Sequence, residues 1–102
     1  MHTITVDVDE IEAGEHVPGF SGEATVTVKY LDLEDFDLSD VEIVVWRHGH
    51  FRTQPASDEL AEAIRREIWD RNDTLYRISR EIAADMAERR YLARDRHFAR
   101  EA

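Results

Sequence analysis

The spacing of apolar residues changes period once along the chain, at Pro55, and that change dictates the class of fold. Before it, apolar and polar residues alternate. Ile4, Val6 and Val8 are separated by Thr5 and Asp7, and Ala24, Val26, Val28 and Tyr30 by Thr25, Thr27 and Lys29. A period of two places one set of side chains on one face of a strand, and β-branched residues suit a pleated, half-buried surface. After Pro55 the apolar residues recur every three or four positions: Leu60, Ile64 and Ile68, then Leu75, Ile78, Ile82 and Met86. That is the stripe of an amphipathic helix. Strands followed by helices in 102 residues imply a single α+β domain, with an antiparallel sheet covered on one face by C-terminal helices.

Local signals divide the chain further. The first strand is expected over about Thr3 to Ile11. A loop follows, punctuated by Gly14, Pro18, Gly19 and Gly22, with Phe20 capping the sheet edge or standing exposed. The second strand runs through Ala24 to Tyr30. The segment Asp32 to Asp40 is too acidic for a central strand and is expected as a loop, clipped to the core by Leu33, Phe36 and Leu38. Val41 to Trp46 carries apolar residues on both faces, as a central strand does. His48-Gly49-His50 reads as a turn, with a short edge strand around Phe51 to Thr53. The sheet therefore has three or four strands.

From Ala56 to Ala102 there is neither Gly nor Pro. Ser57 is placed to cap a helix, and Asp58 and Glu59 sit in its first turn, where the helix dipole favours acids. The seven-residue gap from Ile68 to Leu75 would keep the phase of one long helix. Such a helix would project far beyond a small sheet at about 1.5 Å per residue, so two helices are favoured, broken at Asn72-Asp73-Thr74 with Asn72 or Asp73 as the second cap. Glu62–Arg66, Glu67–Arg71, Asp73–Arg77 and Asp85–Arg89 are acid-first pairs at i, i+4, the better orientation on a helix surface. The core is expected where Ile4, Val6, Ala24, Val26, Val28, Ile43 and Val45 meet Leu60, Ile64, Ile68, Leu75, Ile78 and Ile82. Trp46 and Trp69 are expected buried or half-buried.

Charge divides the chain near the same boundary, into an acidic β-rich half (1–54) and a helical half (55–102). Residues 1–51 hold twelve acids against Lys29 and Arg47 and carry the whole net charge of −10. Residues 52–102 hold eleven acids and eleven arginines, and from Arg89 onward five arginines face two acids. An acidic first half repels free nucleic acid and attracts a basic partner. It also repels itself, so acidification toward about pH 5 or added salt should stabilise the fold.

Chemistry is sparse. There is no cysteine, which removes disulfides, cysteine metal sites and thiol nucleophiles. No phosphate loop or serine elbow is present, and no cofactor is implied. His48 and His50 are two apart but straddle a glycine and lack a nearby third ligand. Counting an EF-hand loop from Asp32 puts Asp37 where glycine is required and Ile43 where glutamate is required, so that pattern fails. The chain is read as non-enzymatic. It has no apolar run of membrane-spanning length. Its alternating acidic start lacks the form of a signal peptide, so a cytoplasmic location is expected.

The acids Asp7, Asp9, Glu10 and Glu12 and the run Asp32 to Asp40, on a small sheet-then-helix chain without cysteine, loosely resemble small acidic phage-encoded accessory proteins, including anti-CRISPR nucleic-acid mimics. The resemblance implies an inhibitor that occupies the basic, nucleic-acid-binding groove of a protein complex in the host cytoplasm. The residues expected to meet that partner are Asp7, Asp9, Glu12, Asp32, Glu34, Asp35, Asp37 and Asp40. The alternative is a homo-oligomeric adaptor that dimerises through the apolar stripe of its helical half.

Overall fold

The structure is a computed structural model that describes the backbone of residues 1–101 and the side chains of residues 1–92. Four strands, β1 (His2–Val8), β2 (Phe20–Tyr30), β3 (Phe36–Arg47) and β4 (His50–Pro55), form one antiparallel sheet in the order β1-β2-β3-β4. Two helices follow, α1 (Asp58–Trp69) and α2 (Asn72–Glu101). Ser57 caps α1 by accepting the Leu60 N–H. Both helices lie on one face of the sheet. There Val6, Val8, Ala24, Val26, Val28, Tyr30, Ile43 and Val45 bury against Ile64, Ile68, Ile78 and Ile82. Ile4, Leu60, Leu75 and Met86 pack at the margin of this core.

Besides β2, which begins at Phe20 rather than Ala24 and so takes Phe20 and Gly22 out of the expected loop, three boundaries differ from the sequence expectation. First, β1 stops at Val8 rather than near Ile11, because Glu10 takes a left-handed conformation (φ 56°) that ends the pleat. Second, the acidic run is only partly a loop. β3 begins at Phe36, so Asp37 and Asp40 are strand residues. The strand tolerates them because they face water. Their neighbour Leu38 is buried, and Phe36 stacks on Trp69 with ring centroids 5.4 Å apart. Leu33, also expected as a clip, is exposed. Val26 pairs with Val41 but Val28 with Leu38, so β3 carries one extra residue at Ser39–Asp40, and this bulge keeps both Leu38 and Val41 on the core face. Third, the helix break falls at Asp70–Arg71, and Asn72 and Asp73 belong to the first turn of α2 rather than preceding it.

A tertiary clamp accompanies that break. The Glu67 carboxylate accepts the backbone N–H of Glu12 at 2.9 Å and of Ala13 at 3.2 Å. Arg71 donates to the carbonyls of Asp9 and Glu10 and pairs with Glu67 at 3.2 Å. The loop after β1 thereby has backbone donors and acceptors satisfied by one ion pair. At the opposite end of the sheet, the buried Tyr30 hydroxyl donates to Asp85 Oδ2 of α2, and Arg89 Nε donates to the same oxygen at 2.8 Å. Tyr91 and Leu92, the last two described side chains of α2, are 70% and 49% exposed.

Tyr30 and Asp85 make this second link pH-sensitive at both extremes. The hydrogen bond from Tyr30, then that from Arg89, holds the Asp85 carboxyl below its ordinary range, and His2 adds a weaker pull in the same direction. Burial, then the Asp85 bond, pushes the Tyr30 hydroxyl up. A lowered carboxyl pKa contributes stability at pH above about 4, lost as pH falls through the folded-state value. A raised phenol pKa contributes below about pH 10, lost as pH rises through its folded-state value. Asp85→Asn should therefore lower stability at pH 7 and flatten the loss below about pH 4. Tyr30→Phe should remove the loss above about pH 10. Denaturant unfolding across pH measures both.

Candidate functional site

Helices cover one face of the sheet, and the other is open. Strand alternation assigns to the open face Thr3, Thr5 and Asp7 of β1, Thr25, Thr27 and Lys29 of β2, Asp37, Glu42, Val44 and Trp46 of β3, and Phe51 and Thr53 of β4. Asp7 Oδ1 accepts the Thr25 hydroxyl at 2.8 Å, and Glu42 stands opposite Thr25 on the next strand. Asp37 stands opposite Lys29. Where β1 ends, a depression of about 350 Å³ is lined by Asp7, Asp9, Glu23, Thr25, Val44 and Arg77, among others.

The eight acids expected to contact a partner do not form one patch. Asp7, Asp9 and Glu12 lie at the end of β1 and in the loop after it. Asp32, Glu34 and Asp35 form the turn between β2 and β3, at the far end of the sheet. That turn is closed by Leu31 N–H to Asp35 O at 2.9 Å and by the Asp32 side chain, which accepts the Leu33 N–H at 2.7 Å. Asp37 and Asp40 lie between the two groups, along β3. Side chains two apart on a strand are separated by about 7 Å, so the acids form a line along the sheet rather than a cluster.

The electrostatic state of these acids is set by where the arginines go. Among the described residues three ion pairs form: Arg66–Glu62 at 2.8 Å, Arg71–Glu67 at 3.2 Å and Arg89–Asp85 at 2.8 Å. All three are i, i+4 pairs of the helical half, as the spacing anticipates. The fourth, Asp73–Arg77, does not form, because Arg77 reaches across to the backbone carbonyl of Asp7. Arg65 likewise donates to Ser39 O at 2.9 Å, and Arg71 to the carbonyls of Asp9 and Glu10. The helical arginines that cross to the first half thus meet backbone oxygens. No carboxylate of residues 1–51 is in an ion pair among the described residues.

Two features escaped the sequence reading. Glu23 and Glu42 join the open face beside Asp7. Trp46, expected buried or half-buried, is 50% exposed there, and it packs edge-on against Phe51, itself 64% exposed, with ring centroids 4.7 Å apart. A signal for that pair existed. Trp46 and Phe51 are equidistant from a two-residue turn at His48-Gly49, whose φ angles of 51° and 80° are both positive, as the tight turn of a two-residue hairpin requires. Trp69 is exposed on its other side but stacks on Phe36. His48 and His50 are both exposed at the turn, and no group of three or more His, Asp or Glu able to hold a metal ion occurs among the described residues. Among the described residues no helix is long and apolar enough to cross a membrane. Comparisons with protein-family models, curated proteins and solved structures return no match.

Unpaired like charges on one side of a small domain carry a measurable cost. Added salt should raise the melting temperature at pH 7 by screening that repulsion. Thermal melts at pH 7, at low and high salt, check this. A melting temperature that drops with salt at pH 7 would mean that the arginines neutralise the acids after all.

Proposed function

We propose that the chain is a non-enzymatic, protein-binding inhibitor whose acidic sheet surface blocks a basic, nucleic-acid-binding groove of its partner, in the manner of a phage anti-defence protein such as an anti-CRISPR. The reading rests on one observation. Eleven arginines lie in residues 52–102 of the same chain, yet the carboxylates of residues 1–51 make no ion pair among the described residues. Carboxylates left in solvent are available to another molecule. The acids are also spaced along an extended strand, from the turn at Asp32–Asp35 through Asp37 and Asp40 to Glu42. A line of negative charges on a rigid sheet offers a basic groove what a phosphate backbone offers it, at comparable reach.

Electrostatic association of this kind is fast and salt-sensitive, because exposed charges are screened within about 8 Å at physiological salt. Affinity capture from a bacterial lysate at low salt, eluted by rising salt, should release a nucleic-acid-binding complex. Replacing Asp35, Asp37 and Asp40 with Asn should weaken that capture. Equal retention at about 50 mM and about 500 mM salt would overturn charge mimicry.

A homo-oligomeric adaptor is the second reading, and the structure changes where its interface would lie. Ile64, Ile68, Ile78 and Ile82 are all fully buried in the chain's own core, so that stripe cannot serve as a dimer seam. What supports the reading instead is the exposed pair Tyr91 and Leu92 on α2 beyond Met86. Sedimentation equilibrium separates the readings. A dimer that Leu92→Arg dissociates would favour the adaptor.

A further inference from the structure

Resting on the binding role just described, we infer that the partner is received on the open sheet face around Trp46 and Phe51, as an extended segment carrying an arginine, an apolar residue and a second arginine at alternate positions. The aromatic pair is the largest apolar feature of that face, and large exposed apolar groups in contact with one another mark interaction surfaces more than scattered ones do. In an edge-to-face pair the ring that presents its edge keeps its own face free, and the face of an aromatic ring attracts a guanidinium.

The pair is held rigidly. On one side of β3 the tight turn at His48-Gly49 sets the Trp46–Phe51 register. On the other, the Trp46 N–H donates to Gly19 O at 2.7 Å and the Ser21 hydroxyl to Val44 O at 2.9 Å. Gly19 has φ 76°, and a Cβ there would lie 2.3 Å from the Trp46 carbonyl oxygen, so only glycine allows this approach. A surface ordered before binding loses less entropy on complex formation.

The chemistry along β3 then specifies the occupant. Trp46, Val44 and Glu42 follow one another on the open face at strand spacing, about 7 Å apart. Val44 also borders the depression that holds Asp7, Asp9 and Glu23 with the single cation Arg77. An extended chain laid along β3 presents its alternate side chains at the same spacing. One guanidinium falls on the aromatic pair, an apolar side chain on Val44, and a second guanidinium on Glu42 and Glu23, where carboxylates can accept its paired donors. Neither Glu23 nor Glu42 makes an ion pair among the described residues that would compete.

The test uses the whole chain and a dye-labelled peptide with arginine, leucine and arginine separated by serines, read by fluorescence anisotropy at low salt. Controls are the same peptide with citrulline for arginine, and one with the two arginines adjacent. Trp46→Ala and Phe51→Ala should each weaken binding about tenfold with the circular dichroism of the folded chain retained, Trp46→Phe should restore part of the loss, and E23Q with E42Q should also weaken it. D32N with D35N should leave binding of this peptide unchanged, because a five-residue segment seated on Glu42 to Trp46 does not reach the turn that a whole partner would also meet. If the turn variants lose binding and the aromatic variants keep it, the partner sits on the acidic turn. The inference then falls while the inhibitor reading stands. If no arginine peptide binds at low salt, both fall. Equal binding of the citrulline peptide would overturn the cationic occupant. A dimer in sedimentation that Trp46→Ala dissociates would show that a second copy covers the face, and would overturn the inference as well.

Discussion

Two helices can cover only one face of a four-stranded sheet, and the rest of the structure follows from which face they take. The β-branched side of β1, β2 and β3 meets Ile64, Ile68, Ile78 and Ile82, all of them fully buried. Burying side chains of this size stabilises by roughly 1.5–3 kcal/mol each, which is large against the marginal stability of a small domain. Once that face is committed, period-two alternation sends Asp7, Glu42, Val44 and Trp46 to the opposite side, into water. The open acidic surface is thus the necessary complement of the core.

The helical arginines decide how that surface is charged. A guanidinium can satisfy a carboxylate or a carbonyl, and strand ends, the sheet edge and the bulge in β3 leave carbonyls without ladder partners. Arg65, Arg71 and Arg77 go to those carbonyls, at Ser39, at Asp9 and Glu10, and at Asp7. Arg71 does so together with Glu67, which gathers the N–H groups of Glu12 and Ala13. The same contacts that tie the helices to the sheet therefore withhold cations from its carboxylates. Architecture and surface charge share one set of arginines.

The two ends of α2 serve different purposes within this scheme. Its first half is core, through Ile78 and Ile82, and is locked to β2 by Tyr30, Asp85 and Arg89. Past Arg89 its described side chains, Tyr91 and Leu92 among them, are exposed. A helix in a protein draws most of its stability from tertiary packing of an amphipathic face, and in α2 that face is the stretch through Ile78 and Ile82.

The α+β class, the sheet-then-helix order, the cap at Ser57, three of four helical ion pairs and nearly the whole expected core were legible in the sequence. These depend on local period, or on residues three or four apart, which one element fixes by itself. The acidic half was equally legible as a count. Its state as unpaired charge was not, because that depends on where Arg65, Arg71 and Arg77 reach across 26 to 70 residues of chain. The strand character of Phe36 to Asp40 was hidden for a related reason. Its acids speak against a strand, and only the burial of Leu38, the stack of Phe36 on Trp69 and the bulge at Ser39–Asp40 outweigh them. The half-exposure of Trp46 was legible only in part, because a strand with two apolar faces reads as buried on both, while the number of covering layers belongs to the assembled fold. By itself the sequence determined which residues lie on which face of each strand and helix, since that follows from backbone geometry. Only the tertiary structure decided which face is covered and which charges are left without partners, since both depend on long-range packing.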